Sequence, residues 1–176
     1  ITINGVNDVP VVTNQARSVT EDASPVADDP NTTGTVESGA YLATTGQVTV
    51  TDPDASESTF NVSTLAYGTR TNTGSTGSGE LGTLTVDANG NYSFSVDNTD
   101  TQVQSLGIGD SIVQTWTVKS ADGTGTSTIT ITINGANDLP VDPNDINTVI
   151  EDTLLTVAAA DGLLKNATDP DGDSLT

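Results

Sequence analysis

The side chains of this sequence that could do chemistry are oxygen donors, and they recur in pairs. Asn7-Asp8 follows ITINGV, and Asn137-Asp138 follows ITINGA near the other end of the chain. Glu21 and Asp22 close SVTED, which returns as TVIED at residues 148–152. Asp52-Pro-Asp54 ends VTDPD and Asp169-Pro-Asp171 ends ATDPD, with Asp173 two residues further on, while Asp122 stands in SADGTG. Carboxylates gathered within a few ångström repel one another by about 4 kcal/mol per close pair at an effective dielectric near 20. A hard divalent cation reverses that sign. Calcium takes six to eight oxygens from carboxylates, carboxamides and carbonyls, whereas magnesium demands a stricter octahedron and zinc prefers nitrogen or sulfur. The donor set therefore predicts calcium. The run DPDGDS spaces three acids at alternate positions but does not read as an EF-hand, because its Gly falls too early and the sequence ends before the place of a closing Glu.

Composition narrows the chemistry further. The chain has no His and no Cys, so imidazole proton shuttling and thiolate or imidazole metal ligation are excluded. An enzyme would need a poised base or nucleophile in a pocket, and only carboxylates remain, so catalysis is not expected. A formal charge of −20, from 24 acidic and four basic residues, makes nucleic acid and anionic membrane unsuitable partners. Self-repulsion of that size opposes compaction unless cations neutralise it. With no disulfides available, metal is the natural staple.

The elements that must position these acids read as strands. QVTVT, GTLTVD, NYSFSV, VQTWTVKS and TSTITITI alternate apolar residues with Thr or Ser at period two, and nothing reads as a long amphipathic helix. Ile129, Ile131 and Ile133 are expected to face inward, with Thr128, Thr130 and Thr132 toward water. Tyr92, Phe94 and Val96 supply one inner layer, and Trp116 and Val118 another. DANGN and SADGTG read as turns, the second joining the last two strands as a hairpin. ASPVADDPNTTG and GTRTNTGSTGSGE read as polar surface loops. About seven short strands around one buried Trp predict an all-β fold, an antiparallel Greek-key β-sandwich.

Strand direction assigns each acid an end. A first strand running downward and a last strand also running down place Asn7, Asp8, Asp52, Asp54 and Asp122 at the upper end. Glu21, Asp22, Asn137, Asp138, Asp169 and Asp171 fall at the lower end. The offset of 130 residues between the ITING copies persists in the SVTED pair and shortens to 117 for the DPD pair, which identifies tandem domains. The expected organisation is residues 1–10 as the last strand and linker of one repeat, 11–140 as a complete repeat, and 141–176 as the head of the next. Neither end has an initiator Met, a signal peptide or a transmembrane run, so the chain reads as a piece of something longer. Residues 1–6 and 141–176 are expected to order only when neighbouring chain or another molecule completes them.

From GTLTVDANGNYSFSVDN through VQSLGIGDSIVQTWTVKSADGTGTSTITITINGANDLPV the chain resembles the VCBS repeat of giant bacterial surface proteins, and EDTLLTV with LLKNATDPDGDSLT resembles related bacterial cadherin-like repeats. Asn166-Ala167 departs from the Asn-Asp usual there. The similarity to cadherin domains implies that Asn137-Asp138 matches the linker Asn-Asp, Glu21 the Glu after the first strand, Asp52 and Asp54 the Asp-x-Asp motif, and Asp122 the Asp of the Ala-x-Asp-x-Gly element, from which SADGTG lacks one spacer. The cadherin Asp-Arg-Glu motif has no counterpart, and Asp97 or Asp110 is the nearest substitute. The resemblance implies a cadherin/Ig-like fold, extracellular display by type I secretion, and a calcium-rigidified extender or adhesin segment whose partners are neighbouring repeats.

Other readings stay open from sequence alone. Asp-Pro-Asp, Asn-Asp and Ala-Asp-Gly are also ordinary turn formers. The chain could instead build a filament or matrix by pairing with copies of itself, or bind glycans or cell-surface and matrix components through its long polar loops.

Overall fold

The computed structural model describes residues 1–2, 4–21, 41–54, 56–142, 148–158, 162 and 164–175. Within these the chain is all-β, without a helix. Nine strands follow in order: β1 (Val11–Val12), β2 (Gln15–Thr20), β3 (Tyr41–Gln47), β4 (Val50–Thr51), β5 (Phe60–Thr73), β6 (Thr83–Val86), β7 (Asn91–Asp97), β8 (Ser111–Ser120) and β9 (Thr126–Asn134). They form a four-stranded sheet ordered β2-β9-β8-β5, a three-stranded sheet ordered β3-β7-β6, and the small pair β1-β4.

Period-two alternation drives this arrangement. β7 buries Tyr92, Phe94 and Val96 and exposes or half-exposes the residues between, and β8 buries Ile112, Gln114, Trp116, Val118 and Ser120 in the same rhythm. The apolar faces of the two larger sheets join in one core with Leu42, Leu84, Ile129, Ile131 and Ile133. Trp116 meets Phe94 of the opposite sheet and Tyr67 of its own, each at a ring-centroid distance of 5.7 Å. Its indole N–H donates to Glu80 Oε1 at 2.9 Å, so the largest core side chain keeps its polar atom satisfied.

Not every pair is antiparallel. β2 runs parallel to β9, with Gln15 opposite Ile129 and Thr20 opposite Asn134. The physical reason is a change of sheet: β1 pairs antiparallel with β4, then Thr13 and Asn14 carry the chain across to the open edge of β9. Ser127 Oγ donates to the Thr13 carbonyl at 2.5 Å, and Thr128 N–H to Asn14 Oδ1 at 2.8 Å, which pins the crossing. A parallel pair cannot be joined by a hairpin, and these strands lie far apart in sequence. β9 consequently sits between two neighbours, so Thr128, Thr130 and Thr132 are half-buried and not fully open to water.

The turns at Asp87–Asn91 and Ser120–Gly125 fall where DANGN and SADGTG place them; Gly90 N–H donates to the Asp87 carbonyl and Gly123 N–H to that of Ser120, both at 2.9 Å. The polar stretch GTRTNTGSTGSGE is only partly a loop. Its first half continues β5, with Arg70 opposite Gln114 and Thr73 opposite Ser111, after register shifts that bend the strand. ASPVADDPNTTG lies outside the described residues.

Gln114 is a polar residue on the core face, fully buried between Ile112 and Trp116. Its amide accepts from the Leu81 N–H at 2.7 Å and donates to the Leu81 carbonyl at 2.8 Å, standing in for a missing strand neighbour. Gln114→Leu would strand both backbone groups in the core, at about 1–3 kcal/mol each. The expected result is a loss of about 2–4 kcal/mol in urea unfolding, with an unchanged slope.

Candidate metal centres

At the upper end, the chain leaves β4 and turns through Asp52 to Thr59 before β5 begins. Asp52 is only 9% exposed. The Ser58 hydroxyl accepts from the Asp52 N–H at 2.8 Å and donates to the Asp52 carbonyl at 3.2 Å, closing the turn on itself. Asp52 Oδ1 accepts the Asp54 N–H at 2.8 Å, the local bond that Asp-Pro-Asp favours. The segment before β1 docks on this turn: Asp8 N–H donates to Asp54 Oδ2 at 2.7 Å, and Asn7 Nδ2 donates to Asp122 Oδ2 at 3.2 Å.

Asp122 is presented by the β8–β9 hairpin. Hydrogen bonds from Ser120 and then Thr124, with Asn7 adding a smaller share, hold its carboxyl far below the ordinary carboxylate range. It is a fixed anion at neutral pH. Gly125 lets the linker lie against this hairpin, since a methyl group there would sit 2.8 Å from Pro10 Cγ and 3.0 Å from Val12 Cγ1.

A further acid completes the upper group. Carboxylate oxygens of Asp52, Asp54 and Glu57 all lie within 4.8 Å of one another. Partial burial first, then the charges of Asp52, Asp54 and Asp122, push the Glu57 carboxyl above its usual pKa. Crowded like charge has that effect wherever no cation balances it. Asp52 Oδ2 and Glu57 Oε2 are buried and accept no hydrogen bond. Two buried carboxylate oxygens of one acidic cluster, neither accepting a hydrogen bond, fit a hard cation, and a donor set made of oxygen alone fits calcium better than zinc.

The lower end repeats the core of this wiring. Asp138 N–H donates to Asp171 Oδ2 at 2.8 Å, as Asp8 does to Asp54. Asp171 N–H donates to Asp169 Oδ1 at 3.0 Å, as Asp54 does to Asp52. Asn137 Nδ2 donates to the Asp138 carbonyl at 2.6 Å, as Asn7 does to that of Asp8 at 3.1 Å. Val141 bridges Thr168 antiparallel, in the register that pairs Val11 with Thr51. Asp169, Asp171 and Asp173 again bring carboxylate oxygens within 4.8 Å. Glu21 and Asp138 are each 1% exposed at this end, and Glu21 Oε1 accepts the Ala136 N–H at 3.1 Å.

The structure thus joins Asn7, Asp8, Asp52, Asp54 and Asp122 above, and Asn137, Asp138, Asp169, Asp171 and Asp173 below, with Glu21, just past the end of β2, bonded to Ala136 beside the lower group. Asp22 lies outside the described residues. Asp97 does not join the lower group through its hydrogen bonds: its carboxylate accepts from the Thr99 N–H at 2.9 Å and hydroxyl at 2.7 Å within its own turn. Asp110 belongs to the loop before β8, which touches the lower group through Gly107; a methyl on Gly107 would meet Asp171 Cβ at 3.6 Å and Asp110 Oδ2 at 3.8 Å.

Sequence reading missed Glu57. Its signal was present, an acid three residues after Asp54 in the same turn, where the second copy has Asp173 two residues after Asp171. No helix among the described residues is long and apolar enough to cross a membrane. No family model matches this chain, and no curated protein matches it.

Proposed function

We propose that this chain is a segment of a tandem array of Greek-key β-sandwich repeats, similar to VCBS and cadherin-like repeats, whose junctions are stiffened by calcium outside the cell. The observation that carries this reading is the doubled wiring: one linker N–H on the second Asp of an Asp-Pro-Asp turn, made at Asp8 and Asp54 and again at Asp138 and Asp171. Ordinary turns have no reason to repeat a contact between a linker and a distant loop. The role is mechanical and not catalytic. Without metal each junction is an acidic hinge whose charges repel. With metal, the linker and the turns beside it share one cage and the array extends.

Extracellular calcium modules bind at about 10⁻⁴–10⁻³ M, so such sites fill outside a cell and empty in the cytosol. A large secreted surface or matrix protein of a bacterium is the setting that suits this behaviour. Small-angle X-ray scattering on a chain spanning at least two complete repeats, in millimolar calcium and then in EGTA, tests the reading. A larger maximum dimension and a narrower distribution of shapes are expected with calcium; superimposable curves would remove the mechanical role.

A further inference from the structure

We propose that Glu57 is a ligand of the upper cation site, the third carboxylate of the turn that carries Asp52 and Asp54. The inference rests on the calcium reading above and assigns it a residue that neither the repeat motifs nor the cadherin correspondence contains.

Geometry carries the assignment. Glu57 brings a carboxylate oxygen within 4.8 Å of those of Asp52 and Asp54. Asp52 is nine-tenths buried and its Oδ2 has no donor, and Glu57 Oε2 is likewise buried without one. A buried carboxylate oxygen facing two other carboxylates is unfavourable unless something positive lies between them. Arg or Lys would serve, but the chain has only four basic residues, and Asp52 Oδ2 and Glu57 Oε2 accept no hydrogen bond from any of them. A divalent cation that takes oxygen ligands would balance all three carboxylates at once.

The backbone is shaped to the same end. Ser56 has a φ of 71°, a left-handed conformation uncommon for a residue with a side chain, and it turns the chain immediately before Glu57. Thr59 N–H then donates to the Glu57 carbonyl at 2.7 Å. The second copy meets the same need differently. There Gly172, with a φ of 78°, precedes Asp173, which joins Asp169 and Asp171 within the same 4.8 Å. Two turns of different length and sequence both deliver a third carboxylate, which a mere surface turn would not require.

The clustered carboxylates of Asp52, Asp54 and Glu57 all belong to one turn, whereas residues 7 and 8 reach Asp54 through the Asp8 backbone N–H and Asp122 through the Asn7 carboxamide. Glu57 should therefore control affinity.

The test is calorimetric titration of calcium chloride into the full chain carrying Asp169→Asn and Asp171→Asn, which silences the lower group. Adding Glu57→Gln should weaken the remaining site at least about tenfold, since changes even to groups that only support metal ligands cost 10–100-fold. In EGTA the Glu57→Gln protein should melt no lower than its parent, because one of several mutually repelling charges is gone. Unchanged affinity in Glu57→Gln overturns the assignment while leaving calcium binding by the parent intact. So does weakened binding accompanied by a lower melting temperature in EGTA, which would make Glu57 a support of the fold and not a ligand. A parent that takes up no calcium removes the junction reading itself, and the assignment with it.

Discussion

Raising calcium from zero, in EGTA, to about 10 mM should lift the melting temperature by on the order of 10 °C. A site that binds at about 10⁻⁴ M is then near a hundredfold excess, and a ligand held only by the folded state contributes about 2.7 kcal/mol at that ratio. For a domain of this size, each kcal/mol moves the midpoint by about 3–5 °C. The reason to expect specific binding and not diffuse neutralisation is local. A net charge of −20 gains something from any added salt, because screening shortens every repulsion. Buried Asp52 Oδ2 and Glu57 Oε2 gain little from distant ions and much from one held between them. Magnesium at equal concentration is the control. It screens equally but resists giving up its water, so its shift should be clearly smaller. Equal shifts with both ions would mean that screening explains the whole effect.

Gly135→Ala should destabilise the protein by about 2–3 kcal/mol, whereas the same change at Gly5, its counterpart in the other ITING copy, should stay within about 0.5 kcal/mol. A methyl on Gly135 would lie 2.2 Å from the Leu106 carbonyl oxygen and 2.4 Å from that of Gly107, and Gly5 has nothing within 4 Å. Both obstacles are backbone, so no side chain can swing aside. The loop cannot simply retreat either, since Gly135 N–H donates to the Asp110 carbonyl at 3.0 Å and Leu106 is fully buried beneath it. Chemical denaturation of the two variants side by side measures the difference. The glycine also adjoins the lower acidic group, because Ala136 next to it donates to Glu21 and Asp138 lies two residues further on. Gly135→Ala should accordingly weaken calcium binding at the lower end and leave the upper end unaffected. Equal stability of the two variants would show that the close approach of the loop is not maintained in solution.

Much of the candidate site was legible because its parts are short and local. Asp-Pro-Asp, Asn-Asp and the Asp of the hairpin each announce a turn and offer oxygens, and strand alternation indicates at which end each turn falls. Glu57 escaped because no local rule distinguishes an acid in a turn that points at its neighbours from one that points to water. Gln114 escaped for a related reason. Its position in VQTWTV fits the core face, but a polar residue there is acceptable only if Leu81, 33 residues away, offers both a donor and an acceptor.

By itself the sequence determined the all-β character, the turns at DANGN and SADGTG, the oxygen-only donor set and the 130-residue recurrence, since each depends on residue type and spacing along the chain. Tertiary structure alone decided which donors meet. Asn7 reaches Asp122 across 115 residues and Asp8 reaches Asp54 across 46. Those meetings follow from β1 leaving its first partner so that β2 can lie parallel to β9, which sets the linker over one turn and one hairpin at the same end. Alternation specifies which face of a strand is buried. It does not specify the neighbour on either edge, and that choice, made by packing two sheets around Trp116 and Phe94, brings the carboxylates together.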